Sequence, residues 1–185
     1  VTDVMDIEPV TIILSKNGWI RSAKGHEINP ETAKFKAGDV LLSYLRTRSD
    51  KPIVFLDNTG RSYMLYSHSL PSARGNGEPL TGHLSFQSNA NVKFMLSGDT
   101  HHHFLVGSDR GYGFIIKFSD FLTQYKNGKA VISLKGNHQL LHPECVFDME
   151  TDSIAAVTTK GRLLIFTLNQ LPNLKKGQGN KIISI

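Results

Sequence analysis

Apolar segments alternate with polar turns along the whole chain, and one arrangement of them occurs four times. In each copy, two segments rich in β-branched and aromatic residues flank a polar corner that ends in a glycine. Such residues favour strands, and glycine accepts the positive φ angle that a tight turn demands. Each copy therefore predicts a β-hairpin. The copies are Ile12–Arg21, Ile53–Tyr63, Phe104–Phe114 and Ala155–Leu164.

The corner glycines give the length of the repeat. They are 42, 51 and 50 residues apart, which is a spacing typical of propeller blades. In the last three copies a leucine follows the corner after ten or eleven residues, and a basic loop that contains glycine comes next. Two further short apolar segments complete the unit, so we predict about four strands in each. The corner glycines are Gly18, Gly60, Gly111 and Gly161.

These units predict an all-β fold of about four four-stranded blades in a single domain over residues 1–185. The repeats are expected at about 8–48, 49–97, 98–148 and 149–185. Helical periodicity is confined to Ser119–Tyr125, which predicts one or two turns of helix. The strands predicted outside the hairpins are Leu80–Leu84, Ala130–Leu134, Lys181–Ile185, Val40–Leu45, Val92–Leu96 and Cys145–Met149.

Composition limits the cellular compartment and the binding partners that we expect for the protein. The formal net charge is +5, a mild excess, so the positive residues must converge on one surface to hold a polyanion. The single cysteine, Cys145, cannot build a disulfide framework and indicates a reducing, cytoplasmic setting. No apolar run reaches the ~18–20 residues of a membrane span, and Val1–Asp6 lacks the features of a signal peptide. The last segment, Ile182–Ile185, is strand-like, so we expect either another completed blade or a fragment of a longer protein.

Lysine and arginine residues recur at two places in the repeat. One set lies in the glycine-bearing loops and the other at the hairpin corners. Exposed N–H groups of such loops and cationic side chains bind phosphate oxygens, so the recurrence favours sequence-independent binding of the duplex DNA backbone. The alternative is that they are solvated turn residues. The loop set is Arg74, Lys126, Lys129, Lys175, Lys176 and Lys181, and the corner set is Arg21, Arg61, Arg110, Lys160 and Arg162.

Three other segments contain residue types that occur in metal, catalytic or dinucleotide-binding sites. The run His101–His103 follows Asp99, but we interpret it as a surface turn before a strand rather than as a metal site. Cys145 lies three residues from His142, and we interpret it as a small core residue rather than as a nucleophile. The glycines of Gly75–Pro79 precede a strand and not the helix that a dinucleotide loop needs. We therefore expect no metal ion, cofactor or catalytic residue in this chain.

Six segments occur in a characteristic order at blade spacing: Glu8–Ile12, Gly18–His26, Thr59–Tyr63, Leu70–Gly82, Gly111–Phe114 and Lys176–Ile183. In this combination the whole chain resembles the C-terminal domain of the A-type subunits of bacterial type IIA topoisomerases, specifically the ParC subunits of topoisomerase IV. Lys24, in the second segment, is also a candidate DNA-binding residue.

The resemblance implies a β-pinwheel, a propeller-like disc whose blades exchange a strand with a neighbour and whose basic rim bends duplex DNA. It implies a noncatalytic domain, with the ATP and Mg²⁺ sites elsewhere in the holoenzyme. The implied partners are duplex DNA, the remainder of the same polypeptide and the ATPase subunit, in the cytoplasm at the nucleoid. Family members usually carry five or six blades, so four repeats indicate a shortened domain or a fragment.

Two further points concern function. The gyrase branch of this family carries a Gln-Arg-Arg-Gly-Gly-Lys-Gly box in its first blade, and the corresponding stretch here, Trp19–Ile28, lacks it. The resemblance therefore favours DNA relaxation and decatenation over introduction of negative supercoils. The alternative function is a protein-interaction propeller that docks a chromosome-organising, condensin-like partner.

Overall fold

The computed structural model describes residues 6–183, and every element longer than four residues in this range is a β-strand. The predicted all-β fold is confirmed. At the predicted helix, one turn of 3-10 helix forms at Phe118–Phe121. The strands are β1 (Pro9–Ser15), β2 (Trp19–Lys24), β3 (Leu41–Arg48), β4 (Pro52–Asp57), β5 (Arg61–Tyr66), β6 (Glu78–Pro79), β7 (Val92–Ser97), β8 (His103–Gly107), β9 (Tyr112–Lys117), β10 (Lys129–Ala130), β11 (Glu144–Val146), β12 (Ser153–Val157), β13 (Leu163–Thr167) and β14 (Asn180–Lys181). The other 3-10 helices are Pro30–Thr32, Ser67–Ser69, Leu80–Gly82 and Leu168–Gln170.

The four predicted hairpins are confirmed as the antiparallel pairs β1–β2, β4–β5, β8–β9 and β12–β13. Each corner glycine has the positive φ that the turn requires, between 80° and 88°. A side chain at these positions would strain the backbone, since only glycine reaches this region freely. The turn chemistry read from the sequence therefore fixes where each hairpin folds back.

The sheets follow one plan. Three of them have four strands, in the orders β3-β1-β2-β6, β10-β5-β4-β7 and β11-β8-β9-β14. In each, the strand after the hairpin pairs with its first strand, and a two-residue strand from the next repeat lies beside its second strand. This is the strand exchange that the resemblance implied. Within residues 6–183 the fourth sheet consists of β12 and β13.

The exchanged segments are shorter than predicted. Instead of a strand at Leu80–Leu84, β6 ends at Pro79 and a 3-10 helix begins at Leu80, because Leu80 and Leu84 turn into the core and are nearly fully buried. The strand predicted over Ala130–Leu134 is likewise limited to β10. Of the strand predicted over Lys181–Ile185, only Lys181 lies in β14; Ile182 and Ile183 are outside any strand, and residues 184 and 185 lie outside the described range.

The chain forms two compact units. Within residues 6–183, the first contains the residues up to Asp57 together with Ser62–Gly98 and Thr123–Lys129, and the second contains the rest. The core of the first unit includes Ile12, Leu14 and Ile20 from the first hairpin, and Ile53, Phe55 and Tyr63 from the second. The core of the second unit contains Ile115, Ile154, Leu168 and Leu171. Among the described residues, no helix has the length and apolar character to span a membrane.

A glycine precedes each exchanged strand and contacts the backbone of the preceding hairpin. A Cβ added at Gly77, Gly128 or Gly179 would overlap the carbonyl oxygen of Ile20, Ser62 or Gly113, respectively. These carbonyls all belong to the second residue after a corner glycine. The residue that follows the exchanged strand then donates its N–H to the corner glycine itself, as Leu80 does to the carbonyl of Gly18 at 2.8 Å.

We predict that Gly77→Ala destabilises the fold more than Gly25→Ala. Both glycines have φ near +85°, but a Cβ at Gly25 would meet nothing within 4 Å. Gly25→Ala should cost about 1–2 kcal/mol for the left-handed backbone alone. Gly77→Ala should cost about 1–3 kcal/mol more, because the close contact with Ile20 has to open. Urea unfolding of the two variants measures the difference, and equal losses would show that the close contact does not constrain the fold.

Candidate nucleic-acid interface

The glycine-bearing loops dock on the hairpin of the preceding repeat. Ser22, in the middle of β2, donates its N–H to the carbonyl of Pro71 at 2.8 Å and accepts the N–H of Ala73 at 2.9 Å. The chain then passes Gly75 and reaches the corner end of β2 at Gly77. The Leu-Pro dipeptide that precedes the loop therefore supplies a backbone acceptor at the start of the crossing, although proline has no N–H to donate.

The same docking occurs two repeats later. Ile115, in the middle of β9, donates its N–H to the carbonyl of Pro172 and accepts the N–H of Leu174, both at 2.9 Å. The chain then runs to the corner end of β9, where Lys181 pairs with Tyr112. In the second hairpin, Gly128 lies against Ser62 and Tyr63. We call these segments, 73–77, 126–129 and 175–181, the basic loops.

Most of the predicted loop residues are available to a ligand. Lys129 is half-buried, and the side chain of Lys181 lies over the ring of Tyr112, with 5.9 Å between its Nζ and the ring centre. The aromatic face holds this ammonium group at the corner without neutralising its charge. The exposed members are Arg74, Lys126, Lys175, Lys176 and Lys181.

The corner residues differ from one another. Arg110 is exposed, and its guanidinium donates to Asn137 Oδ1 at 3.3 Å. Lys160 and Arg162 are exposed at the fourth corner, and Arg61 is half-buried. Lys24 lies at the end of β2 away from the corner, with its Nζ 3.8 Å from Glu8. All the predicted lysines and arginines are therefore exposed or half-buried except the candidate at the first corner.

Arg21, the candidate at the first corner, is only 5% exposed. Its guanidinium donates to the carbonyls of Gly75 at 2.9 Å and Lys34 at 2.7 Å, and it lies over the ring of Phe35. A phosphate cannot reach this group without displacing those contacts. The interpretation of Arg21 as an exposed corner cation is therefore wrong, because the side chain folds inward to bond with two loops.

The loop that bonds with Arg21 is also anchored at its other end. Asp39 accepts the N–H groups of Asn17 at 3.1 Å and Val40 at 2.9 Å. Slight burial raises the pKa of Asp39, but hydrogen bonds from Ser15 and from these two N–H groups outweigh it and hold the pKa below its ordinary value. The carboxylate therefore stays charged at neutral pH and ties residues 30–39 to the first corner.

A concavity of about 910 Å³ opens beside the first basic loop. Arg74 and Lys24 line it together with His68, and Ser22 and Ser72 add hydroxyl groups. Glu8 and Asp6 also line it, so its charge is mixed. The concavity brings Lys24 and Arg74 to one surface, although they are 50 residues apart in the sequence.

The histidine run forms the predicted turn, and β8 begins at His103. The turn gathers possible metal-binding atoms of Asp99, His101 and His102 within 4.8 Å of one another. However, the Asp99 N–H donates to His102 Nδ1 at 3.0 Å, so it already occupies the lone pair of that nitrogen. A metal ion bound there would have to displace this hydrogen bond.

Cys145 is half-buried on β11, the outer strand of its sheet. Burial raises the pKa of its thiol, and the negative charges of Asp152 and Glu144 raise it further. The nearby His142 faces Glu144, with 3.5 Å between its Nδ1 and the carboxylate. These surroundings disfavour the thiolate that a nucleophilic cysteine needs.

Known proteins share this fold. Residues 102–146 and 152–185 match the family model described as the DNA gyrase C-terminal domain, a β-propeller. The chain superposes on the solved C-terminal domain of Escherichia coli ParC with a TM-score of 0.91 and 46% sequence identity, over 96% of this chain and 72% of that one. A solved C-terminal domain of the gyrase A protein shares the fold, with a TM-score of 0.71 at 17% identity, over 100% of this chain and 64% of that one.

Curated relatives agree with the structural match. The chain is 48% identical to the A-type subunit of DNA topoisomerase 4 from Pseudomonas aeruginosa over 184 residues, and 45% identical to that from Escherichia coli K12 over 183 residues. These alignments cover 100% and 99% of this chain and 24% of each relative, so the chain spans about a quarter of their length. With its β-propeller-type sheets, it belongs to the family of C-terminal domains of the A-type subunits of type IIA topoisomerases, in the topoisomerase 4 (ParC) branch.

We predict that Cys145 reacts slowly with iodoacetamide at neutral pH. Because the thiolate is the reactive form, the rate should still be rising at the pH where an ordinary thiol has half ionised. The same chain in denaturant provides the control, since unfolding removes the burial and the carboxylates. A rate that levels off below neutral pH in the folded chain would contradict this description of the thiol.

Proposed function

We propose that this chain is a DNA-binding and DNA-bending domain that holds the backbone of duplex DNA. One observation carries the proposal. The basic loops occupy equivalent places in successive repeats, each seated on the second strand of the preceding hairpin and running to its corner. The exposed lysines and arginines therefore belong to loops that are held against a strand, and they recur with the repeat. Such recurrence suits contacts with a repetitive polyanion.

The chemistry of the loops favours phosphates over bases. Lysine ammonium groups act as point charges, and arginine adds a planar guanidinium that can pair with two phosphate oxygens. Gly75, which is exposed in the first basic loop, leaves the backbone there open to close approach by a phosphate. Contacts of this kind carry no base sequence, so binding should depend on DNA shape and on salt.

The comparisons support a role for this domain within a topoisomerase. We propose that the domain presents a DNA segment to the cleavage core of topoisomerase IV for relaxation or decatenation, close to the nucleoid. Its partners would be the remainder of the same polypeptide and the ATPase subunit, with ATP and Mg²⁺ bound there and not here. The comparisons lend no support to the alternative of a protein-docking domain.

We predict that Lys175→Glu with Lys176→Glu strongly weakens DNA binding. Fluorescence anisotropy of the 185-residue chain with a labelled duplex of about 40 base pairs, titrated over a range of salt concentrations, measures the effect. Each lost phosphate contact should reduce the log–log salt slope by about 0.9, so the slope should fall by up to about 1.8. Duplexes of unrelated sequence should give the same slope.

The matched control changes the charge equally at sites away from the corners. Lys51 precedes β4, and Lys117 ends β9, so both lie at the opposite ends of strands from a corner. Lys51→Glu with Lys117→Glu should leave the salt slope close to that of the unsubstituted chain. If both double variants lose affinity equally, binding follows net charge and not the basic loops, and the proposal fails.

A further inference from the structure

The third residue after each corner glycine has the same structural position in the first three repeats. These residues are Arg21, Tyr63 and Phe114, and all three are buried beneath the glycine of a basic loop. In the second and third repeats an aromatic ring fills the position. In the first repeat, a cationic side chain replaces the ring.

Arg21 connects two loops that are distant in the sequence. One nitrogen of its guanidinium donates to the carbonyl of Gly75, in the first basic loop, and the other to the carbonyl of Lys34. The guanidinium also lies over the ring of Phe35, 5.0 Å from its centre. Because a planar guanidinium presents donors in a fixed fork, one side chain can hold both backbones at once.

Cationic side chains lie next to both of these carbonyls in the sequence. Phe35 is half-buried against Arg21, and Lys34 and Lys36 lie on either side of it in the same loop. The Nζ of Lys36 lies 3.5 Å from the centre of the Trp19 ring, at the corner itself. On the other side of Arg21, Arg74 is exposed in the first basic loop.

As whole residues, Lys34 and Lys36 are both exposed, and only Phe35 between them is half-buried. The ring of Phe35 thus lies against Arg21, while the two lysines beside it are exposed to solvent. Together with Arg74, three exposed cations are thus carried by two loops that Arg21 joins.

We infer that Arg21 is a positioning residue for the DNA-binding surface, and that Lys34 and Lys36 belong to that surface in the first repeat. The inference rests on the proposed function and adds residues to it. A cation buried this deeply is maintained by its hydrogen bonds and not by contact with DNA. Its effect on binding is transmitted through Lys34, Lys36 and Arg74, which it brings together.

The first test removes the two added lysines. Lys34→Ala with Lys36→Ala should reduce the log–log salt slope of the full chain by up to about 1.8, at about 0.9 for each phosphate contact. Both side chains are exposed, so the thermal unfolding midpoint should change little. Lys51→Ala with Lys117→Ala is the matched control and should keep the slope. If the unsubstituted chain binds steeply with salt and the Lys34/Lys36 variant keeps its slope, the inference is overturned while the proposed function stands.

The second test separates positioning from direct contact by a mutant cycle. Arg21→Met should lower DNA affinity in the unsubstituted chain, but should have little further effect once Lys34, Lys36 and Arg74 are all alanine. An equal loss in both backgrounds would mean that Arg21 itself contacts DNA, which would overturn the inference. If Arg21→Met does not fold, Arg21→Lys takes its place in the cycle, because it keeps the charge but not the fork.

Failure of the proposed function would look different. In that case the unsubstituted chain would not bind the duplex even at low salt, or Lys175→Glu with Lys176→Glu would leave the salt slope unchanged. Hydrogen exchange gives a readout of positioning that does not depend on DNA. The amide of Asp39, which donates to the carbonyl of Lys36, and the amide of Ala73, which donates to the carbonyl of Ser22, should both exchange faster in Arg21→Met, and unchanged exchange at both would also overturn the inference.

Discussion

In each of the first three repeats, a short segment from the next repeat docks on the second strand of the hairpin, and the rest of the structure depends on this interaction. It requires glycine at Gly77, Gly128 and Gly179, because the backbones approach too closely for a side chain. It also satisfies the polar groups of a strand that would otherwise be a sheet edge. Hairpins of this length are marginal alone, so each of the first three repeats gains its fourth strand from the next.

The same docking determines where the cationic side chains of the basic loops lie. The basic loops are the chain's path from the middle of a strand to its corner, so Arg74 and Lys181 cannot move far from the hairpins on which they dock. A flexible loop with the same composition would lose more conformational entropy on binding a polyanion. Fixed cations that recur with the repeat are therefore a direct consequence of the way in which the sheets are completed.

The first repeat shows how one position can serve the core or the surface. Tyr63 and Phe114 fill the space beneath the loop glycine with an aromatic ring, and Tyr63 also donates its hydroxyl proton to the buried Asp57 at 2.7 Å. Arg21 fills the equivalent space with a guanidinium, and two carbonyls and the Phe35 ring compensate for its loss of water. A buried polar group is tolerated when its hydrogen bonds are satisfied. The exchange of a ring for an arginine converts a packing position into a connection between loops.

The sequence by itself determined the four hairpins, their corners and the repeating order of strands, because glycine turns and apolar strand segments are local features with a fixed period. It also identified the exposed lysines of the loops, since their recurrence is visible without a structure. Only the tertiary structure decided that Arg21 turns inward, and that Lys36 lies at the corner. The reason is that the partners of Arg21, Lys34 and Gly75, are 13 and 54 residues away, and no periodicity relates them. Long-range hydrogen bonds of one side chain leave no pattern along a chain, whereas the requirement for glycine at a turn does.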